Sequence, residues 1–156
     1  MDDNVKQAVS LSLTEVFETM FFTLLEPLDG IPARDEWPPE KDFVMAEISY
    51  SGGGIVGELR FYFPQSLARS IAMNFLGEQE DSLSEGQLVD TVRETVNMGV
   101  GSMLGRLDPA GECTLGIPKA RLVDDFSPEA IVAELGLYVF RTASGFLWLE
   151  YRTRKS

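Results

Sequence analysis

The chain has 156 residues, enough for one domain with a real core and too few for two ordinary ones. Against 13 Lys+Arg stand 25 Asp+Glu, and a net charge of -12 repels phosphate backbones and anionic membranes, which argues against nucleic acid or membrane as partners. Histidine is absent and Cys113 is the single cysteine, which excludes Ser-His-Asp and Cys-His catalysis, His-ligated zinc and an internal disulfide.

The start, Met1-Asp2-Asp3-Asn4, lacks the positive charge of a signal peptide, and the most apolar stretch, residues 20–25, is far short of a membrane span. A soluble cytoplasmic domain covering 1–156 is the expectation. Val5, Val9, Leu13, Val16, Phe17, Met20 and Leu24 recur at helical spacing and predict a helix over Val5–Glu26. Phe21, Phe22 and Leu25 make its end apolar nearly all round, so that end is buried or meets a partner. Pro27 and Gly30 stop it, and the proline-rich stretch Ile31–Lys41 reads as a loop in which Trp37 either anchors a contact or, more simply, packs against the loop.

Val44, Ala46, Ile48 and Tyr50 alternate with the other face, and Ile55, Gly57, Leu59, Phe61 and Phe63 do the same on the return. Between them Ser51-Gly52-Gly53-Gly54 makes a hairpin turn; no Gly-Lys-Ser/Thr follows, so it is not a phosphate cradle. A helix follows over Ser66–Leu76, closed by Gly77. The charge run Glu78, Glu80 and Asp81 reads as a solvated loop. A second long helix covers Ser84–Leu107 and ends at Asp108-Pro109-Ala110-Gly111. A strand around Cys113–Ile117 places Cys113 in the core, and a crossing segment runs to Asp125. The last hairpin pairs Ala130–Phe140 with Phe146–Tyr151, where Trp148 is core or interface, and turns at Thr142–Gly145. Met45, Met73, Met98 and Met103 read as core filler.

Antiparallel pairs with separate helices predict an α+β fold, a layered antiparallel-rich sheet carrying long helices. Its halves echo each other. Residues 14–21 match residues 90–97 at Val16/Val92, Glu18/Glu94 and Thr19/Thr95, as two pseudo-repeated halves would.

The helix over Ser84–Leu107 carries two stripes. Leu88, Val92, Val96, Gly99 and Met103 fall on one face and form the core stripe, with Gly99 allowing a neighbouring layer close. Asp90, Glu94, Asn97 and Gly101 fall opposite. Asn and Gly are weak helix formers, roughly 0.5 and 1 kcal/mol worse than Ala, so they are poor choices for a face that only meets water. A carboxylate and an amide one turn apart, beside a position without a side chain, can hold a water, donate to an oxyanion and pair with a partner's cation. Phosphoryl transfer needs little more from a protein than such positioning. A solvated face that tolerates Asn and Gly explains the same residues, and the pattern alone leaves both readings open.

Asp90-x-x-x-Glu94-x-x-Asn97-Met98-x-x-Gly101, followed by Pro118, resembles the active-site signature of the CheC/CheX phosphatases. Val16-Phe17-Glu18-Thr19-Met20 is similar to the opening helix of CheX proteins. The resemblance implies an enzyme that hydrolyses the aspartyl phosphate of a CheY-like receiver domain in chemotaxis. Asn97 would place the attacking water, Glu94 would bind the receiver's active-site lysine, and Asp90 and Gly101 would support them. No cofactor is expected on this chain itself, since the receiver brings the Mg²⁺. Phe21 stands where the first helix would need its asparagine. One site per chain matches the CheX type, whose members are homodimers. Twenty residues separate Asn97 from Pro118, fewer than in CheC-type members, and Gly99 replaces a larger apolar residue. A rival reading is a non-catalytic adaptor that docks a receiver or a flagellar-switch-like partner through the same helix. A free-standing small-molecule phosphatase is disfavoured, because the chain offers neither nucleophile nor metal cage.

Overall fold

A computed structural model describes residues 3–134 and 136–156, and the side chain of Glu80 lies outside that description together with Met1, Asp2 and Leu135. The elements in chain order are α1 (Asp3–Phe21), β1 (Glu26–Pro27), β2 (Phe43–Gly52), β3 (Ile55–Pro64), α2 (Gln65–Leu76), α3 (Glu85–Leu107), β4 (Thr114–Leu115), β5 (Lys119–Val123), β6 (Leu137–Thr142) and β7 (Gly145–Lys155). All strands join one antiparallel sheet ordered β1-β6-β7-β3-β2-β4, with β5 also paired to β2. The α+β expectation holds.

The repeat is visible in this topology. Exchanging the two halves carries α1 onto α3, β1 onto β4, and the β2–β3 hairpin onto β6–β7, and the strand order then reads the same from either end. Each half lends its short strand to the other: β1 pairs with β6, and β4 with β2.

Local chemistry explains most boundaries. Gly53 and Gly54 both take positive φ, 60° and 82°, which a two-residue hairpin turn demands and which only glycine adopts freely. Gly77, at φ 67°, closes α2 with its N–H on the Met73 carbonyl. Ser84 caps α3 reciprocally: its hydroxyl accepts from the Gln87 N–H at 3.1 Å, while the Gln87 side chain accepts from the Ser84 N–H at 2.8 Å.

Three predicted segments differ. First, α1 ends at Phe21 rather than Glu26. Phe22 turns left-handed (φ 51°), the Thr23 N–H reaches back to the Phe17 carbonyl, and the Asn74 amide caps the Phe21 carbonyl at 2.6 Å. This exit sends Phe21 and Leu25 into the core and leaves Phe22 and Leu24 each 80% exposed; Met20 is also exposed. Leu24 and Met20 are therefore not core residues, and Glu26–Pro27 become an edge strand, where the missing proline N–H does no harm. Second, the strand around Cys113 shrinks to Thr114–Leu115, because Gly116 bonds the Ser49 carbonyl and Pro118 has no N–H to give. Cys113 lies outside it, half-buried against the core, and the crossing segment is β5, paired along β2. Third, β6 begins at Leu137. The predicted Ala130 start instead forms a turn over Pro128–Ala130 that packs Ile131 beneath the sheet.

Helices α1, α2 and α3 cover one sheet face around Phe17, Phe21, Phe61, Phe63 and Leu147. On the other face a smaller core of Phe43, Met45, Tyr62, Val139 and Trp148 is covered by Trp37, Phe126 and Ile131. Trp37 meets Trp148 edge-on with centroids 5.3 Å apart, so it packs within the fold. Burial, and then the 2.6 Å hydrogen bond to Glu150, push the Tyr62 phenol up to about 12.

Gly57 is held by close contact rather than by a turn. A Cβ there would lie 2.2 Å from the buried ring of Tyr50, whose hydroxyl is tied to that of Tyr151 at 2.5 Å. Gly57→Ala is therefore expected to cost about 2 kcal/mol and to lower Tm by roughly 4–8 °C. A thermal melt at the wild-type temperature would contradict the packing described here.

Candidate functional site: one face of helix α3

Two independent constraints orient α3. Arg106 anchors one side to α1, donating to Ser12 Oγ at 3.1 Å and to Glu15 at 2.7 Å. Gly99 lets α1 approach: a Cβ there would come within 2.6 Å of Leu13 Cδ2. Leu88, Val92, Val96 and Met103 are buried with it, so the predicted core stripe is the core stripe. The helix phase then turns the polar stripe outward.

On that outward face Asp90 and Glu94 are exposed, while Asn97 and Gly101 are half-buried. Asp90 is not free. Arg93, three residues on, donates to its carboxylate. Glu94 and Asn97, also three apart, have no side-chain hydrogen bond or ion pair with any described residue. An unpaired carboxylate and an unpaired amide sit side by side on a rigid helix, presented to whatever docks there. At Gly101 the face is less bare than the sequence suggested. Leu115 from β4 comes close, and a Cβ at Gly101 would touch it at an ordinary 3.7 Å. Packing therefore does not impose glycine at this position. Pro118 is half-buried between β4 and β5.

The counterpart on α1 lacks this chemistry. Glu18, matching Glu94, is exposed, but Phe21, matching Asn97, is fully buried between Phe17 and Phe75, at centroid distances of 5.8 and 5.5 Å. The helix stops where α3 continues for ten more residues, so the first half offers no polar face at the matching point.

Sequence reasoning missed Arg93. The signal was present, since an acid three residues before an arginine on a helix pairs with it. Among the described residues no group of three or more Cys, Asp or Glu side chains is placed to hold a metal ion, and no helix is long and apolar enough to cross a membrane. One cleft of about 270 Å³ lies on the helix-free sheet face between Glu47, Arg60, Lys119 and Arg152. A second, of about 370 Å³, lies beside the end of α1 between Phe22, Asn74 and Arg141. Neither includes Glu94 or Asn97. The α3 pair stands on a convex helix, a shape that suits insertion into another molecule's cavity rather than capture of a small one.

The fold is shared with proteins of the CheC-like class. The CheC-like superfamily protein from Shewanella sp. PV-4 superposes with a TM-score of 0.77 at 24% identity, covering 99% of both chains. The chemotaxis protein CheX from Vibrio vulnificus does so with a TM-score of 0.77 at 21% identity, covering 99% of this chain and 100% of that one. A chain of the CheX–CheY–BeF3–Mg²⁺ complex from Borrelia burgdorferi matches with a TM-score of 0.69 at 13% identity, over 97% of this chain and 98% of that one. No curated protein sequence matches. The family model for the chemotaxis phosphatase CheX matches residues 44–134, a stretch that contains the whole Asp90–Gly101 face and Pro118. The chain belongs to the CheX family of chemotaxis phosphatases.

Proposed function

We propose that this protein is a phosphatase that accelerates hydrolysis of the aspartyl phosphate of a CheY-like receiver domain, with α3 entering the receiver's active site. The observation that carries the reading is the Glu94–Asn97 pair, unpartnered among the described residues, on the convex face of α3 in a chain of the CheX family. The Borrelia burgdorferi relative crystallised with CheY, BeF3 and Mg²⁺ supports a receiver as the partner.

In this reading the Asn97 Oδ1 accepts a hydrogen bond from a water and aims its oxygen at phosphorus, in line with the acyl oxygen that leaves. The water oxygen bonds to phosphorus, the bond from phosphorus to the acyl oxygen breaks, and the receiver's aspartate and inorganic phosphate result. The Asn97 amide N–H₂ can donate to a phosphoryl oxygen. Glu94 pairs with the active-site lysine and fixes the docking angle. Asp90 and Gly101 support the face without touching the reacting atoms. Mg²⁺ belongs to the receiver and neutralises phosphoryl charge there; this chain contributes no ligand to it. The protein works in the cytoplasm as a homodimer with one site per chain.

The test is the decay of a radiolabelled, aspartyl-phosphorylated receiver from the same genome in the presence of Mg²⁺. Acceleration by catalytic amounts of this protein is expected. Binding without acceleration would make it an adaptor instead. The docking role is tested separately. Glu94→Lys sets a cation against the receiver's lysine and is expected to weaken binding to a BeF3-activated receiver about 30-fold or more by calorimetry, with Tm unchanged. Wild-type affinity in that variant would remove Glu94 from the interface.

A further inference from the structure

We infer that Asp90 is a positioning residue whose ion pair with Arg93 keeps the guanidinium off Asn97. The inference rests on the function proposed above. Arg93 stands three residues after Asp90 and four before Asn97, so both are its neighbours along the helix surface. Arg93 Nη2 donates to Asp90 Oδ1, towards the start of α3 and away from the pair. Val89, one turn before Arg93 on its other flank, offers no acceptor.

Without the Asp90 carboxylate, the acceptor left at helical spacing from Arg93 is the Asn97 Oδ1. Glu94, the next residue in sequence, diverges by about 100° around the helix and competes poorly. A guanidinium on Oδ1 occupies the oxygen that must hold water. It also adds a positive charge beside the lysine-binding carboxylate. The acidic residue four places before Glu94 thus acts on the reaction through Arg93, without meeting the receiver. Both members of the pair are exposed, at 42% for Arg93 and 68% for Asp90, so the bias is modest.

The experiment is a double-mutant cycle on the full chain. Asp90→Ala is expected to lower kcat about two- to fivefold, leaving KM for the phosphorylated receiver and Tm unchanged. Removing Arg93 as well, in Asp90→Ala/Arg93→Ala, is expected to restore kcat, and Arg93→Ala alone to leave it at the wild-type level. A loss that the second substitution does not repair, or no loss at all, overturns the inference. A second readout does not depend on activity. The side-chain amide resonances of Asn97, recognised by their absence in Asn97→Ala, should move in Asp90→Ala and return in the double variant. Immobile resonances overturn the inference whatever the kinetics. Resonances that move in a protein inactive on receivers would uphold the Arg93 placement and dismiss the phosphatase function.

Discussion

Asn97→Ala is expected to slow receiver dephosphorylation on the order of 100-fold while helix content and Tm stay at wild-type values. The side chain is half-buried on the outer face of α3 and hydrogen-bonded to no described residue, so its removal costs the fold little. The loss falls on the step that needs a water held in line. Alanine is a better helix former than asparagine by roughly 0.5 kcal/mol, so the variant should be slightly more stable if anything. Single-turnover decay of labelled receiver, with binding measured alongside, separates the two contributions. A rate close to wild type would end the water-positioning mechanism. A variant that still binds and no longer hydrolyses would isolate the amide as the catalytic group.

Phe21→Asn, which would copy the α3 pair onto α1, is expected to destabilise the protein by about 4 kcal/mol or more and to create no second site. Phe21 is fully buried, packed edge-on against Phe17 and tilted against Phe75, and its carbonyl receives the Asn74 cap. The substitution leaves a cavity, for which Phe truncations cost about 3–5 kcal/mol, and buries an amide without partners. Since a domain of this size holds only about 5–15 kcal/mol, much of its stability would go. Denaturant unfolding and phosphatase assays together decide the matter. A stable variant with doubled activity would contradict the account of α1, whose end turns its matching residue inward where α3 keeps running.

How much of this was legible follows from where the determinants lie. The β2–β3 hairpin was readable because strict alternation and Gly53-Gly54 are local signals, and the limits of α2 and α3 were written in Gly77 and in the Ser84–Gln87 cap. The end of α1 was not readable. Apolar residues continue through Leu25, and the exit at Phe22 is decided by Asn74, which the sequence places over 50 residues away. β4 and β5 were blurred because Gly116 and Pro118 interrupt a strand that β2 nevertheless continues to pair. At the site, helix phase placed Asp90, Glu94 and Asn97 on one face, since a 23-residue helix leaves little freedom in phase. The occupation of Asp90 by Arg93 is a choice among surface rotamers, which periodicity does not specify. The repeat was faint in residues and plain in topology, because strand order survives substitutions that erase identities.

The central pairing of β3 with β7 sets a clock during synthesis. Tyr62 of β3 must wait for Trp148, and Ile55 for Lys155. At ribosomal speeds of about 5–20 residues per second, the intervening chain takes roughly 5–20 seconds to emerge. Throughout that interval the β2–β3 hairpin exists with one long edge unmatched and with Phe61 and Phe63 lacking part of their cover, the kind of surface that invites association between nascent chains. Domains whose neighbouring strands are made one after another avoid this delay; here symmetry between the halves is obtained by postponing the seam that joins them.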